Sequence, residues 1–376
     1  MKKLLCVFCY TLFISISITA FAQQPQHTTL AIGSPAPDFN LRGIDGKNYS
    51  LASFKQAKVL VIIFMCNHCP TSQAYETRIV QLTNDYKDKG VAIVGINPNN
   101  PASLRLDELG YSDVGDSYED MKIRAKDAGF NFPYLYDGET EVTSNKYGPV
   151  STPHVFIFDS ERKLRYQGRV DDTEDPHKTP NSIDTRNAIE ALLNNQQVPV
   201  ETTKVFGCSI KWAEKKDWIE KAAVKWAKEP VTLDMADADS INGLFKNSSD
   251  KLRLINIWST ASAASVNEFG DFVTMNRMYR DRGFEFVSIN TDALAGMDKT
   301  LAFLKKQEAS GPNYLFTGSN KTALAGAVGQ GWKGALPYTV LVEPGGKIVY
   351  AKQGAINAEE LKKVIFFNPM IGRVYN

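Results

Sequence analysis

Two stretches of this chain repeat the same order of apolar and polar segments, and this repeat constrains the fold more than any other feature. They cover residues 58–97 and 252–290. Each has an apolar run of strand length, a short polar turn, an amphipathic segment and a second apolar run that ends in Ile-Asn. This order predicts a βαβ unit. The runs at residues 60–65 and 91–96 contain no charged residue, which is typical of buried parallel strands.

A second shared pattern follows each unit. Pro153 and Pro337 each precede an apolar strand, a turn and another strand, which predicts two β-hairpins. The turns are expected at residues 159–163 and 343–347, and the second contains Pro-Gly-Gly, a strong turn signal. Each unit is expected to end with a helix, at residues 183–194 in the first and 358–366 in the second.

A βαβ unit with a hairpin and a final helix resembles the thioredoxin fold. The first unit has an N-terminal extension, an insertion before its hairpin, and four motifs in order: CNHCP at 66–70, FPYLYD at 132–137, TPHVFIFD at 152–159 and FGCSIKW at 206–212. Over residues 32–212 it resembles a peroxiredoxin-like subgroup of the redoxin, or alkyl hydroperoxide reductase/thiol-specific antioxidant, branch of the thioredoxin superfamily. From Val231 the chain resembles a TlpA-like thioredoxin domain that lacks the cysteines.

The resemblance implies an α/β protein with two tandem thioredoxin-like folds, each a central mixed β-sheet flanked by helices. The length of 376 residues agrees, because single cores stop growing at about 250–300 residues. We predict four segments: a signal peptide at 1–22, a redoxin-like domain with the CxxC motif at 30–200, a linker or helix at 201–230, and a cysteine-less thioredoxin-like domain at 231–376.

The first 22 residues have the pattern of a secretory signal. Lys2 and Lys3 precede an apolar stretch, and Ala20-Phe21-Ala22 is a small-x-small cleavage site. A retained membrane anchor is the alternative. Cleavage predicts a periplasmic or secreted protein with no stable membrane insertion after the signal is removed.

Composition and charge exclude several classes of protein. The chain is 43% apolar and 23% charged, which is ordinary for a globular protein, and its net charge of +1 gives no reason to bind nucleic acid. Of five cysteines, Cys6 and Cys9 would leave with the signal. The three that remain are too few for a disulfide scaffold, which favours catalysis.

The spacing of Cys66 and Cys69 suits thiol–disulfide exchange, in which a thiolate is the attacking species. We expect Cys66 to begin a helix, so that free backbone N–H groups and the helix dipole stabilise its thiolate. His68 can add positive charge in the same turn, and Pro70 suits the first helical position.

The resemblance implies roles for the residues around the motif. By this resemblance, Cys66 attacks the substrate and forms a mixed disulfide, and Cys69 resolves it. Asn67 and His68 complete a catalytic motif similar to the CxHC sites of protein disulfide isomerases and DsbA-type oxidases. Such sites lean oxidising. Pro153 is the expected cis-proline facing the thiols, with Thr152 and His154 beside it as substrate-binding residues. Cys208 is assigned either a resolving or relay role or a buried, inert one.

Three other functions of the motif remain possible from the sequence. An inert Cys66–Cys69 disulfide would close too small a loop to stabilise much. A metal or copper-delivery site similar to Sco-type proteins would need a further ligand such as His154. A thiol peroxidase is favoured by the redoxin resemblance, but the position where peroxiredoxins carry a threonine, three residues before Cys66, is Ile63, which donates no hydrogen bond.

The second unit is expected to have lost this chemistry. Aligning the motifs places Ser262 and Ser265 at the cysteine positions and keeps Pro337 as the cis-proline, while no histidine lies in this unit to serve as a general base. It is expected to bind a partner through the old docking groove or to stabilise the chain passively. The sequence thus predicts an exported thiol–disulfide oxidoreductase that acts on protein or small thiols with an unidentified redox partner and no cofactor.

Overall fold

The structure, a computed structural model, describes residues 27–318, 321–329, 331–372 and 374. The predicted signal peptide, with Cys6 and Cys9, lies outside the described residues. Within these ranges, no helix combines the length and the apolar character that crossing a bilayer requires.

The first half of the chain, residues 27–212, forms a seven-stranded sheet and a separate two-stranded sheet. The large sheet has the order β2-β1-β5-β4-β3-β7-β8, with β3, β4 and β5 parallel and the other pairs antiparallel. Strands β6 and β9 form the small sheet. The strands are β1 Asn40–Gly43, β2 Asn48–Ser50, β3 Val59–Phe64, β4 Val91–Asn97, β5 Tyr134–Tyr136, β6 Ser151–Thr152, β7 His154–Phe158, β8 Leu164–Gly168 and β9 Cys208–Ser209.

Helices cover both faces of the large sheet because its central strands are apolar on both faces. In β3, Val61 and Ile63 join a cluster with the long helix α1, whereas Leu60 and Ile62 face a second cluster on the opposite side. Both clusters are buried, as expected for a parallel strand that reads as one apolar run. The helices are α1 Pro70–Tyr86, α2 Leu106–Leu109, α3 Tyr118–Asp127, α4 Val142–Tyr147 and α5 Asp184–Leu193, and α6 Lys216–Ala227 follows this half.

The second half, residues 231–372, repeats this plan with a six-stranded sheet of order β10-β13-β12-β11-β14-β15. Its strands are β10 Asp234–Ala236, β11 Leu252–Trp258, β12 Phe284–Asn290, β13 Asn313–Phe316, β14 Tyr338–Val342 and β15 Ile348–Gln353. Its helices are α7 Ala238–Lys246, α8 Ala263–Tyr279, α9 Met297–Lys306, α10 Lys321–Val328 and α11 Ala358–Phe366. Both halves are thioredoxin-like α/β folds with mixed sheets.

The hairpins and final helices confirm the sequence prediction. The turn between β7 and β8 spans residues 159–163, and that between β14 and β15 spans 343–347. Helix α11 has the predicted bounds, and α5 is one residue shorter at each end than predicted. The boundaries at 30–200, 201–230 and 231–376 remain predictions.

The pairing within the sheets corrects the alignment of the two halves. Phe64 pairs with the residue after Pro153, and Ile257 pairs with the residue after Pro337. Counting onward from these pairs, Cys66 corresponds to Ser259 and Cys69 to Ser262. The predicted match of Cys66 with Ser262 and of Cys69 with Ser265 is therefore wrong by three residues. The TlpA-like pattern has its cysteines at the positions of Ser262 and Ser265, whereas the cysteines of the first half lie three residues earlier relative to the paired strands.

The insertion in the first half packs against the second half. Leu106 and Leu109 on α2 contact the buried cluster formed by α8 and its sheet. Arg282, just after α8, donates a hydrogen bond to the carbonyl of Gly110. A side chain on Gly110 would meet the carbonyl oxygen of Met278, so the two backbones lie very close. These contacts use the far end of α8, away from the Ser259–Ser262 turn.

Candidate active site

The CNHC turn places Cys69, not Cys66, at the start of helix α1. The helix begins at Pro70, which suits the first position because it has no N–H to satisfy. Cys69 is the N-cap, and its Sγ accepts the N–H of Ser72 at 3.5 Å. The expectation that Cys66 begins the helix is therefore wrong. The free amides and the positive end of the helix dipole act on Cys69.

Cys69 is the thiol that ionises more readily. Its Sγ also accepts the backbone N–H of Cys208 at 3.3 Å. Burial raises the pKa of Cys69, but hydrogen bonds from the thiols of Cys208 and Cys66, the charge of His68 and the Ser72 N–H outweigh it and hold this pKa well below its ordinary value. The predicted effect of His68 on a thiolate is present, but it acts on Cys69.

Cys66 is buried and held as a thiol. Its Sγ lies 3.0 Å from the hydroxyl of Thr152 and 3.6 Å from Nδ1 of His68, and its backbone N–H donates to Ser72 Oγ at 3.1 Å. Burial raises the pKa of Cys66 well above its ordinary value, and the nearby Cys69 and Asp116 raise it further. The order of ionisation is thus the reverse of the one expected from the sequence.

His68 is paired with a carboxylate that comes from the insertion. Its Nδ1 lies 2.6 Å from Oδ2 of Asp116, and both side chains are buried. Burial lowers the pKa of His68, but the charge and hydrogen bond of Asp116 raise it above its ordinary value. Burial raises the pKa of Asp116, but the charge of His68 and the hydrogen bonds from His68, Asn99 and the Asn67 N–H together hold it below its ordinary value. The pair therefore places a positive imidazolium beside Cys69.

Asp116 also orders the turn itself. It accepts the backbone N–H of Asn67 at 2.7 Å and the side-chain amide of Asn99 at 2.7 Å. The side chain of Asn67 donates to the carbonyl of Gly115 and accepts the hydroxyl of Tyr134. Asn67 thus holds the CNHC turn against the insertion and makes no hydrogen bond to either sulfur.

The peptide bond between Thr152 and Pro153 is cis, as expected. The hydroxyl of Thr152 contacts Cys66, and its carbonyl oxygen lies 3.4 Å from Cys69 Sγ. The backbone of Thr152 pairs with Cys208 in the small sheet. Thr152 therefore contacts both thiols, and the strand edge assigned to substrate is occupied by the chain itself.

His154 does not fit the substrate-binding role assigned to it. It is fully buried, its Nδ1 accepts the N–H of Val150, and its Nε2 lies 2.9 Å from Oε1 of Gln167. Burial lowers the pKa of His154 to about 4, which keeps the ring neutral. His154 orders the start of β7, where neither a substrate nor a metal ion would reach its nitrogens.

Sequence reasoning missed Asp116, Asn99 and Ser72. Asp116 lies in an insertion without periodicity, among several other acidic residues, so nothing in its neighbourhood distinguished it. Ser72 had no such signal either, because its hydroxyl accepts the N–H of Cys66, which precedes the N-cap.

Three side chains at the site could hold a metal ion. The ligand atoms of Cys66, His68 and Asp116 all lie within 4.8 Å of one another. Thiolate and imidazole suit Zn²⁺, which usually takes four ligands. Binding would have to displace the His68–Asp116 hydrogen bond, and His154 lies outside this group.

Among the known proteins that this chain resembles are redox proteins that act through thiols. A family model described as the AhpC/TSA family matches residues 32–167. The thiol–disulfide oxidoreductase ResA of Geobacillus thermodenitrificans is 24% identical over 162 residues, which is 42% of this chain and 82% of that protein.

Two further proteins are similar to the chain. A protein of Mycobacterium tuberculosis, provisionally named a peroxiredoxin, is 31% identical over 117 residues, 31% of this chain and 62% of that protein. A crystal structure of an uncharacterized conserved protein from Geobacillus kaustophilus is 38% identical and covers 48% of this chain and 92% of that one, with a TM-score of 0.43.

Proposed function

Since residues 32–167 belong to the AhpC/TSA family, a redoxin branch of the thioredoxin superfamily, we propose that this chain is a redox enzyme that exchanges thiols and disulfides through Cys66 and Cys69. The observation that carries the proposal is the N-cap position of Cys69. Its sulfur accepts two backbone N–H groups beside an imidazolium, which is the environment that favours a thiolate.

The first step is an attack by Cys69. Its thiolate bonds to one sulfur of a substrate disulfide, the substrate S–S bond breaks, and the other substrate sulfur leaves as a thiolate. In the second step Cys66 attacks Cys69, forming the Cys66–Cys69 disulfide and releasing the second substrate sulfur, which takes the proton that Cys66 loses. The Thr152 hydroxyl, 3.0 Å from Cys66, stabilises the charge that develops on Cys66 as it attacks. The reverse sequence oxidises a dithiol.

A titration tests this assignment. Thiolate absorbance in the ultraviolet is followed against pH in the Cys66→Ser and Cys69→Ser variants, both with Cys208→Ser. We expect the Cys66→Ser variant to ionise well below the ordinary cysteine pKa of about 8.5, and the Cys69→Ser variant to ionise above it. A Cys69 that titrates like a free peptide thiol, together with no reduction of insulin disulfides by the parent protein, would overturn the proposal.

We also propose that the protein is exported and that its second half binds rather than reacts. Export is supported by the pattern of residues 1–22. Binding is supported by a cavity of about 430 Å³ in the second half, beside the cis peptide of Pro337. Apolar side chains, among them Phe316 and Trp332, line most of it. Mass analysis of the N-terminus of the mature protein tests export.

A thiol peroxidase is the second candidate. Both thiols are almost fully buried, which favours a small oxidant over a protein. Ile63 lacks the hydroxyl of the threonine that peroxiredoxins carry at this position, but Thr152 brings a hydroxyl to the site from another strand. This hydroxyl contacts Cys66 rather than Cys69. Peroxide consumption coupled to a thiol donor, measured against insulin reduction on the same protein, separates the two functions. Zinc bound stoichiometrically and lost in the Cys66→Ser variant would instead indicate a metal site.

A further inference from the structure

Cys208 lies at the active site although it is 139 residues from Cys69 in the chain. Strand β9 pairs antiparallel with β6, so that Cys208 is opposite Thr152 and Ser209 is opposite Ser151. The backbone N–H of Cys208 donates a hydrogen bond to Cys69 Sγ at 3.3 Å. The third cysteine therefore adjoins the couple on the side formed by the cis-proline loop.

The segment before Cys208 fits this loop closely. Gly207 has φ +134°, and a side chain there would place its Cβ 2.1 Å from the carbonyl oxygen of Thr152. Only glycine permits such an approach at this backbone conformation. The position where an extended substrate would add a strand beside Thr152 is thus filled by residues 207–209.

Exposure separates the three thiols. Cys66 is 1% exposed and Cys69 is 0% exposed, whereas Cys208 is partly exposed. Among the cysteines in the described residues, Cys208 is thus the most exposed. In the observed conformation, a protein thiol therefore approaches Cys208 more easily than either buried thiol.

We propose that Cys208 is the outer thiol of a three-cysteine relay, and that a Cys69–Cys208 disulfide is the form that reacts with protein dithiols. This relay rests on the proposed thiol–disulfide function and names its substrate class and its point of entry.

The relay needs no added oxidant between its two disulfide forms. Cys208 attacks Cys69 in the Cys66–Cys69 disulfide, the Cys69–Cys208 bond forms, the Cys66–Cys69 bond breaks, and the electron pair goes to Cys66. The proton that Cys208 loses ends on Cys66, beside the Thr152 hydroxyl. The number of disulfides does not change.

Exchange with the client then occurs at the exposed sulfur. A client thiolate attacks Cys208, forms a mixed disulfide and expels Cys69. Because the Ser72 and Cys208 N–H groups stabilise the Cys69 thiolate, it is a good leaving group. The second client thiol attacks the client sulfur of the mixed disulfide, so that the client is oxidised by two electrons and Cys208 returns as a thiol.

A crosslinking experiment tests the relay. The full chain, with Cys6 and Cys9 changed to serine, carries Cys66→Ser and is oxidised with glutathione disulfide, and its disulfides are mapped by mass spectrometry of peptides. We expect a dominant Cys69–Cys208 link. The matched control adds Cys208→Ser and Ser209→Cys, which moves the thiol to the next residue and the opposite side of β9. We expect no link to Cys69 in this control.

Two further measurements connect the link to the reaction. Gly207→Ala, added to the same Cys66→Ser protein, should lower the yield of the link because its side chain would displace β9. Cys208→Ser should slow the oxidation of reduced ribonuclease by the preoxidised protein about tenfold or more. Absence of the Cys69–Cys208 link, or an equal yield in the Ser209→Cys control, would overturn the relay.

The parent protein distinguishes this failure from failure of the proposed function. If the parent forms the Cys66–Cys69 disulfide and exchanges it with glutathione while the Cys69–Cys208 link is absent, only the relay is wrong. If the parent forms no Cys66–Cys69 disulfide and exchanges nothing, the proposed function is wrong as well.

Discussion

The turn after β3 and the turn after β11 have nearly the same frame and very different chemistry. In each, an N-cap side chain accepts the N–H three residues later: Cys69 from Ser72, and Ser262 from Ser265. In each, a carboxylate accepts an N–H in the turn, Asp116 in the first half and Asp292 in the second. Both turns also face a cis-proline.

The differences lie in groups that come from outside the shared plan. Asp116 belongs to the insertion and is fully buried against His68. Asp292 lies two residues after β12, is partly exposed and accepts hydrogen bonds from Ser259 and Thr260, while Ala261 stands at the position that corresponds to His68. Among the described strands, the pair β6–β9 that brings in Cys208 has no counterpart in the second half. The shared plan therefore positions the N-cap side chain, whereas the groups that lower the pKa of Cys69 come in part from added segments.

The largest expected effect comes from removing the N-cap sulfur. Cys69→Ser gives the first turn the N-cap of the second, and we expect it to lower the rate of disulfide exchange by about a thousandfold or more. The rate is measured with insulin as substrate. Ser262→Ala in the second turn is the matched control and should leave the rate unchanged. A Cys69→Ser variant that keeps its rate would contradict the assignment of the nucleophile.

Next in size is the loss of a buried charge. Asp116→Asn leaves His68 without its partner, and we expect a loss of about 3–5 kcal/mol in the free energy of unfolding, because breaking a buried ion pair strands one charge. Asp292→Asn removes a partly exposed carboxylate that accepts hydrogen bonds from Ser259 and Thr260, and should cost about 1 kcal/mol. Urea unfolding of both variants measures the difference, and equal losses would contradict it.

The same pair predicts a pH dependence. The pKa of Asp116 is lowered, so its contribution to stability is present above the ordinary value of 3.8 and is lost as pH falls through the lowered pKa. The pKa of His68 is raised, so its contribution is present below 6.5 and is lost as pH rises through the raised pKa. The stability gap between the parent and Asp116→Asn should therefore be widest between these two pH values.

A smaller effect is expected at a buried carboxyl on the helix that follows the second turn. Counting along the paired strands, Glu268 on α8 corresponds to Tyr75 on α1. Burial raises the pKa of Glu268 to about 7, so the folded state disfavours its charge. As pH rises from 4.5 through 7, the parent should lose stability that Glu268→Gln keeps, giving the variant an advantage of about 1 kcal/mol at pH 8 and none at pH 4. An advantage independent of pH would indicate a different cause.

The smallest effect is a gain in the second turn. Ser262→Cys places a thiol at the N-cap of α8, where the helix amides should lower its pKa by about 0.5–1 unit. The shift should be smaller than that of Cys69, because Ala261 replaces the histidine and no neighbouring thiol is present at the N-cap. Reaction of the new thiol with iodoacetamide against pH measures it, in a background without Cys66, Cys69 and Cys208. A shift as large as that of Cys69 would mean that the N-cap position alone is enough to lower the thiol pKa.

The sequence predicted the parts of this protein that depend on local pattern. Apolar runs, the turn signals near Pro344 and the shared order of elements identified both sheets and hairpins, because burial and turn geometry are expressed within a few residues. The start of α1 was misplaced by one helical turn, since a CxxC pair fits either side of an N-cap and Pro70 alone does not decide which cysteine occupies it.

The composition of the site depended on contacts that no local pattern expresses. Asp116 reaches His68 across 48 residues, and Cys208 reaches Cys69 only because β9 pairs with β6. His154 was assigned to the pocket from its place beside Pro153, but adjacent residues of a strand point to opposite faces, and its face is the core. Proximity in sequence therefore predicted neither which distant residues reach the thiols nor which neighbouring residue points away from them.

The contact of Leu106, Leu109 and Gly110 with α8 joins the cysteine-less half to the insertion that carries Asp116. Asp116 lies seven residues after Leu109, so we expect the packing of α2 on the second half to help to hold the segment that carries this carboxylate to His68. Cutting the chain before Val231 would expose two leucines and leave that segment less firmly held. We expect the His68–Asp116 pair to weaken as a result, which would raise the pKa of Cys69.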